Sequence, residues 1–457
     1  MIRIGNGQGF WGDSVDAPMR LVEDGPLDVL TLDYLAEVTM SIMQKLRRRD
    51  PEAGYASDFV DLARRLLPRI GSNGVRIVAN AGGVNPEACR RAVASVAVAG
   101  GRPDLAIGIV SGDDIFARLD EILASGVRLE NMDDGRPLSA VRERVLSANV
   151  YISSFPVASA LAQGADIVLT GRCTDPGLVL APLIARYGWK EDDWNRLAAG
   201  TVAGHIVECG AQCTGGNDSR WWEVHGWDRI GYPVVEGEED GSFVVTKHAG
   251  TGGRVTIGTI SEQLLYEMGD PRRYLTPDVT ADFTTIRLDE AGPDRVRVSG
   301  VRGAPPPPTL KVSIAYLDGW KATGQITVSG PRAIEKARVC ADALWGRLKR
   351  AGLSYEATET EYVGLDACHG PLTPADAAPG EVVLRVGVRD PDRAKVDRFG
   401  KELAPLVTTG PPGVTGFAGG RPKAAEVVSF WPALIPRELV SPSMTVVRAA
   451  EVAGALR

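Results

Sequence analysis

The chain has no apolar run approaching the ~18 residues that would suggest a membrane-spanning helix. Basic residues are not in excess: 58 acidic against 51 basic side chains leave a formal net charge of −7. A nucleic-acid or anionic-membrane surface is therefore not expected. The six cysteines are scattered, and no two form C-x-x-C. This argues against a disulfide framework and against zinc held by two ligand pairs, and predicts reduced thiols in a cytoplasmic protein. The opening MIRIGNGQGFWGD lacks a basic stretch followed by an apolar core, so no signal peptide is predicted. Histidine is scarce, at four in 457 residues, and no internal repeat is evident.

What is present is alternation. Short apolar runs (MIRI, LDVLTLDY, GVRIVAN, LAIGIVSGDD, NVYISS, DIVLTGR) alternate with amphipathic stretches such as DLARRLLPRI and PEACRRAVASVAVAG. The first have the composition of buried strands and the second that of helices, which together predict an α/β fold with a parallel sheet flanked by helices. The run Pro305–Pro308 reads as a stiff break. It divides the chain into an α/β catalytic domain over 1–304 and a smaller α+β domain over 309–457. The order strand pair, helix, two strands, helix in the latter predicts an α+β sandwich, with the ferredoxin-like arrangement as one form of it.

Ligands of open parallel sheets bind outside the carboxyl ends of the strands. Those ends carry Asp33 with Glu37, Asn80, then Asp113 and Asp114 after Gly112, Ser153 and Ser154, and Arg172 with Asp175. Five polar ends in succession predict one pocket, which His205 joins. The first turn, Gly7-x-Gly9-x-x-Gly12, with Asp33 about 20 residues beyond, has the spacing of a dinucleotide fingerprint. Phe10 and Trp11 would crowd that turn, and Asp13 is negative where phosphates should sit. A tight turn at Gly7 and Gly9 seating another anion or a carbonyl is preferred. Gly82 and Gly83 form a second turn beside Asn80. A third, Gly250-Thr-Gly252-Gly253 after Lys247 and His248, is a candidate cradle for a phosphate or carboxylate, or else an ordinary flexible turn.

In AGHIVECGAQ, His205 and Glu208 stand three residues apart on a predicted helix, beside Cys209. A histidine oriented by a carboxylate can give or take a proton near neutrality. The same pair could instead brace a helix. Cys209 and Cys213 form C-x3-C beside His205, but with no matching second ligand pair they are read as facing a buried helix.

Taken together, GNGQGFWGD, LDYLAEVTM, DPEAGYASDFV, VANAGGVNPEAC, GADIVLTGRCTDPGLVLAPL, DDWNRLAAGTVAGHIVECGAQCTGGN and PPGVTGFAGGRPK resemble the acyclic terpene utilisation (AtuA-like) family, in order over nearly the whole chain. The resemblance implies an organic-acid or acyl-CoA enzyme, because members occur beside enzymes of acyl-CoA, terpenoid and branched-acid catabolism. It does not fix the reaction. Longer relatives carry one more small domain that elsewhere is a separate short protein, so the resemblance also implies a small partner subunit.

With the strand-end set, this leads to an expected lyase, a hydratase or dehydratase of an organic acid or its CoA thioester. His205 and Glu208 would move the proton. Arg172 would clamp a carboxylate, and Asn80 with the Gly82 and Gly83 amides would polarise a carbonyl. A CoA transferase or thioesterase, acting through a covalent step at a Glu, Asp or Cys such as Cys209, is one alternative. A non-catalytic scaffold of an acyl-CoA complex is another. No metal ligand is assigned. CoA enters as part of the substrate, and Asp33, Glu37, Asp113 and Asp114 are the oxygen ligands on offer if the reaction uses Mg²⁺. Further copies of the chain in a homo-oligomer complete the expected partners.

Overall fold

The computed structural model describes residues 1–71, 74–374, 376–416 and 419–454, with Glu37 described in its backbone alone. Its centre is a run of parallel strands. In chain order the strands of this region are β1 (Ile2–Asn6), β2 (Val29–Leu32), β3 (Arg76–Ala79), β4 (Ala106–Ser111), β5 (Val145–Val150), β6 (Ile167–Thr170), β7 (Pro233–Gly237) and β8 (Phe243–Lys247). The parallel pairings run β1-β2-β3-β6-β4. Every residue of β2 and β6 is buried, which requires cover on both faces and explains why these segments are almost wholly apolar.

The helices Ala17–Glu23, Ser57–Leu66 and Pro86–Ala99 share one core with Leu30, Ile77, Ile107 and Ile167. On the other face, helix Phe155–Ala162 comes close enough that a Cβ on Gly108 would meet Ala160 at 3.2 Å. Helices Gly177–Tyr187 and Trp194–Val207 continue that layer. β6 returns between β3 and β4, so the loops after the neighbouring strands β3 and β6 lead to helices on opposite faces. That divergence opens a crevice at their carboxyl ends, the usual location of a ligand in such sheets.

The sheet is larger and more mixed than the sequence predicts. β7, β8, Arg295–Ser299 and Arg287–Glu290 extend it antiparallel beyond β1, and Ser443–Arg448 pairs antiparallel with β4, giving ten strands among the described residues. The strand expected in NVYISS does not join it. β5 pairs instead with the strand that starts at Thr309, and the Tyr151 N–H donates to the Lys311 carbonyl at 3.0 Å. No helix among the described residues is long and apolar enough to cross a membrane.

The compact units are Met1–Ala315 with Phe430–Arg457, and Tyr316–Ser429. The boundary between them falls inside a strand, Thr309–Ser329, and not at the four-proline run, and the C-terminal segment belongs with the first unit through its pairing with β4. In the second unit Glu381–Asp390 lies antiparallel between Trp320–Ser329 and Ala357–Val363. Its core unites Ile326, Val328, Leu384 and Val386 with Leu344 of helix Ala333–Arg350 and Phe399.

Candidate functional site

Within the first unit, the loops after β1, β2 and β6 and the end of helix Trp194–Val207 surround a cavity of about 860 Å³. A second cavity, of about 360 Å³, shares Asp175, Glu208, Glu267 and Lys311 with it. Asp33, Arg172, Asp175, Glu208, Cys209 and Gly9 line the larger chamber, and His205 lines the smaller, where Asp175 and Glu208 reappear.

His205 is held by helix packing. Trp194–Val207 is buried almost throughout, and Gly200 and Gly204 let it approach its neighbour closely. A Cβ at Gly200 would lie 2.6 Å from Leu180 Cδ1, and one at Gly204 would overlap the Pro176 carbonyl. The His205 side chain, 1 % exposed, packs against the rings of Tyr274 and Phe283, with centroids 5.2 and 5.4 Å away. Its Nδ1 lies 3.3 Å from Glu208 Oε1 and 3.5 Å from the Tyr274 hydroxyl. Nδ1 thus faces both the Glu208 carboxylate and the Tyr274 hydroxyl. Nε2 and Glu208 Oε2 have no hydrogen-bond partner among the described residues. Burial raises the Tyr274 phenol well above its ordinary value, so it remains a proton donor at neutral pH.

Asp33 sits in the chamber wall with its Oδ1 accepting from Asn80 Nδ2 at 2.6 Å and the Leu35 N–H at 3.0 Å. Burial pushes its carboxyl up to about 6, against the opposing pull of Arg172 and of those hydrogen bonds. Asn80 is thus a support behind Asp33; its own Oδ1 accepts from the Tyr34 N–H at 2.6 Å.

Arg172, 1 % exposed, does not present the open clamp expected for a substrate carboxylate. Its Nη2 is 2.6 Å from both oxygens of Asp175, Nη1 donates to the Leu35 carbonyl at 2.9 Å, and the guanidinium lies 4.2 Å from the Tyr151 ring centre. Cys209 is also unsuited to the covalent step considered for it. Burial and the Glu208 charge push its thiol up to about 12, so the thiolate is scarce near neutrality.

Other expected residues lie outside both cavities. Asp113 is behind the site, accepting from the Arg172 N–H at 2.8 Å and Asn149 Nδ2 at 2.9 Å. Asp114 accepts from the Phe116 N–H at 2.9 Å. Ser153 and Ser154 hold the buried Asp278 carboxylate. Gly7 packs on Pro18 and Leu30, and Gly82 on the Thr170 carbonyl. Gly83 sits at φ +53 against Met43. The first glycine turn does seat an anion, but one of its own: the Gly9 N–H donates to Asp13 Oδ2 at 3.0 Å, and Tyr232 donates to Asp13 Oδ1 at 2.6 Å.

The Gly252 and Gly253 amides donate to the Arg229 and His225 carbonyls, and Lys247 pairs with Asp294 at 2.9 Å. The cradle expected of those groups is therefore already closed by the chain itself. No group of three or more His, Cys, Asp or Glu side chains among the described residues is arranged to hold a metal. The side chain of Glu37 lies outside the described residues.

Lining residues that the sequence did not single out include Lys311, Tyr274 and Glu267. Glu267 carries the clearest conformational signal, a φ of +52 at a non-glycine position on the wall shared by both cavities. Lys311 and Tyr274 come from segments distant in sequence from the helix carrying His205, and no local motif marks them.

Comparison with known families matches residues 2–446 to the family described as "Acyclic terpene utilisation family protein AtuA". No curated protein matches the chain, and no solved structure matches it.

Proposed function

The chain belongs to the acyclic terpene utilisation (AtuA) family, and on that premise we propose that the joined cavities form the site of a hydro-lyase acting on an organic acid or its CoA thioester. The observation that carries this reading is the His205–Glu208 pair, with Glu208 on the wall common to both chambers. Met132, Pro277, Leu310 and Leu434 give the smaller chamber an apolar lining suited to an acyl chain.

Water addition needs one group to take a proton and one to give it. His205 takes the proton from water as its oxygen bonds to the β-carbon, and the α-carbon is protonated by an acid of the adjoining chamber. Asp33, held up to about 6, suits that second role. Dehydration runs the same transfers in reverse. The Tyr274 phenol is the donor that the smaller chamber offers to the acyl carbonyl or carboxylate, and Lys311 makes the common wall more positive. Acyl transfer through Cys209 is disfavoured by its high thiol pKa. In the same reading the second unit is ferredoxin-like, since its strand–helix–strand–strand–helix–strand order matches the split βαβ pattern.

The reaction is tested in deuterium oxide with a 3-hydroxyacyl or 2-enoyl substrate. A hydro-lyase places solvent deuterium on the α-carbon. Acyl transfer and a pure scaffold do not require this. His205→Gln, which keeps much of the ring's volume, should lower exchange by ~10²-fold or more at nearly unchanged melting temperature. Wild-type exchange in that variant would remove His205 from the mechanism.

A further inference from the structure

A third cavity, of about 340 Å³, shares Ile230 and Tyr232 with the larger chamber. Its charged lining is Arg20, Arg229 and Asp24, with the imidazole of His248 beside them. Among the described residues neither Arg20 nor Arg229 has an ion-pair or side-chain hydrogen-bond partner. Arg172, by contrast, is spanned by Asp175. His248 is fixed by an Nε2 contact to the Leu21 carbonyl at 2.9 Å, and Gly25 leaves room for its ring, since a Cβ there would overlap Nδ1.

A guanidinium is a planar fork of donors matched to phosphate oxygens. Two of them lining one cavity, opposed by a single lining carboxylate, favour an anion. The larger chamber has the reverse balance: Asp13, Asp33, Asp175, Glu208 and Glu267 stand against Arg172 and Lys311. Phosphate there would meet net repulsion. The cavities share lining residues in series, from the chamber at His205 through the larger, acidic one to the arginine-lined one.

We propose that the arginine-lined cavity binds the phosphate groups of the substrate, which therefore enters as a CoA thioester and not as a free acid. The uncharged pantetheine arm crosses the acidic chamber, where a second phosphate-bearing segment would be repelled. Placement of the acyl end at His205 rests on the function proposed above, whereas the phosphate site stands on the arginines alone.

Calorimetric titration of the full chain with CoA, pantetheine and ADP separates the parts of the ligand. CoA should bind at least ~10-fold more tightly than either fragment. Arg20→Gln and Arg229→Gln should each weaken CoA by ~10-fold while leaving pantetheine unchanged, and added salt should weaken CoA and ADP but not pantetheine. Circular dichroism confirms that each variant is folded, and Arg20→Lys should restore part of the loss. CoA binding that is indifferent to both arginines, or no tighter than pantetheine, overturns the proposal. So does ADP matching CoA, because the arm would then contribute nothing. Deuterium exchange by the wild-type chain separates the two claims: if it binds CoA in an arginine-dependent way yet exchanges no deuterium, the phosphate site stands and the hydro-lyase reading falls.

Discussion

Asp113 is 3 % exposed and accepts hydrogen bonds from the Arg172 N–H and Asn149, yet burial still pushes its carboxyl up to about 6. The folded chain therefore holds this proton more tightly than the unfolded one, whose carboxyl stays near 3.8. Between those pH values the native state binds more protons, so this contribution to stability is full below about 4 and is lost as pH rises through about 6. Asp113→Asn preserves an acceptor oxygen and removes the titration. It should flatten the decline between pH 4 and 6 and raise stability at pH 7 by about 2–3 kcal/mol relative to wild type. Urea unfolding across that range measures it, and an unchanged pH slope would contradict the assignment. Asp33 has the same sign, but its carboxyl faces the chamber, so its replacement bears on activity as well. For His205 the sequence left proton transfer and helix bracing open, and the structure gives the residue features of both. Because the ring is fully buried, His205→Ala removes packing as well as chemistry and should lower the melting temperature.

At the scale of the helix, Gly200 and Gly204 do what propensity argues against. Each glycine costs a helix interior roughly 1 kcal/mol relative to alanine. The compensation is the close approach to Leu180 and Pro176 that sets where His205 emerges. Gly204→Ala should therefore destabilise by about 1–3 kcal/mol through overpacking, despite its better helix propensity. Activity should fall together with the melting temperature. A more stable, fully active variant would show that the close crossing is not needed.

The pair stands in the sequence as Gly-x-x-x-Gly within AAGTVAGHIV, a spacing that places two small residues on one face, but the reading of that helix settled on His205 and Glu208 and passed over it. The parallel strands were legible from their unbroken apolar runs. β5 was not: VLSANV has the burial of a central strand, all six residues being buried, but its partner begins at Thr309, and composition does not name partners. The strand ends carrying Asp33 and Arg172 were found because the parallel topology lines them up. Asn80 and Asp113 follow the same rule and ended one layer behind, because polar side chains at strand ends also hold one another.

For the whole molecule, the least legible feature is the return of the C-terminal segment. Ser443–Arg448 lies antiparallel on β4 with Ser443 opposite Ser111 and Arg448 opposite Ala106. A pairing between residues so far apart leaves no local mark in the sequence, whereas the four prolines stand out and drew the expected boundary to themselves. The segment covers an edge that is otherwise apolar and unpaired: β4 reads AIGIVS with its first five residues buried. Beyond it, helix Ala449–Gly454 buries Ala449 and Val452 in the core that contains helix Pro86–Ala99, and the Ala449 N–H donates to the Leu105 carbonyl at 2.9 Å. Removing residues 442–457 would expose the backbone N–H and C=O groups of β4 along one side, together with the apolar surface under the lost helix. An open edge of that kind pairs with other chains. The truncated protein should therefore melt at a lower temperature and self-associate on size-exclusion chromatography as its concentration rises. A monodisperse truncated chain with the wild-type melting temperature would show that β4 does not need this cover.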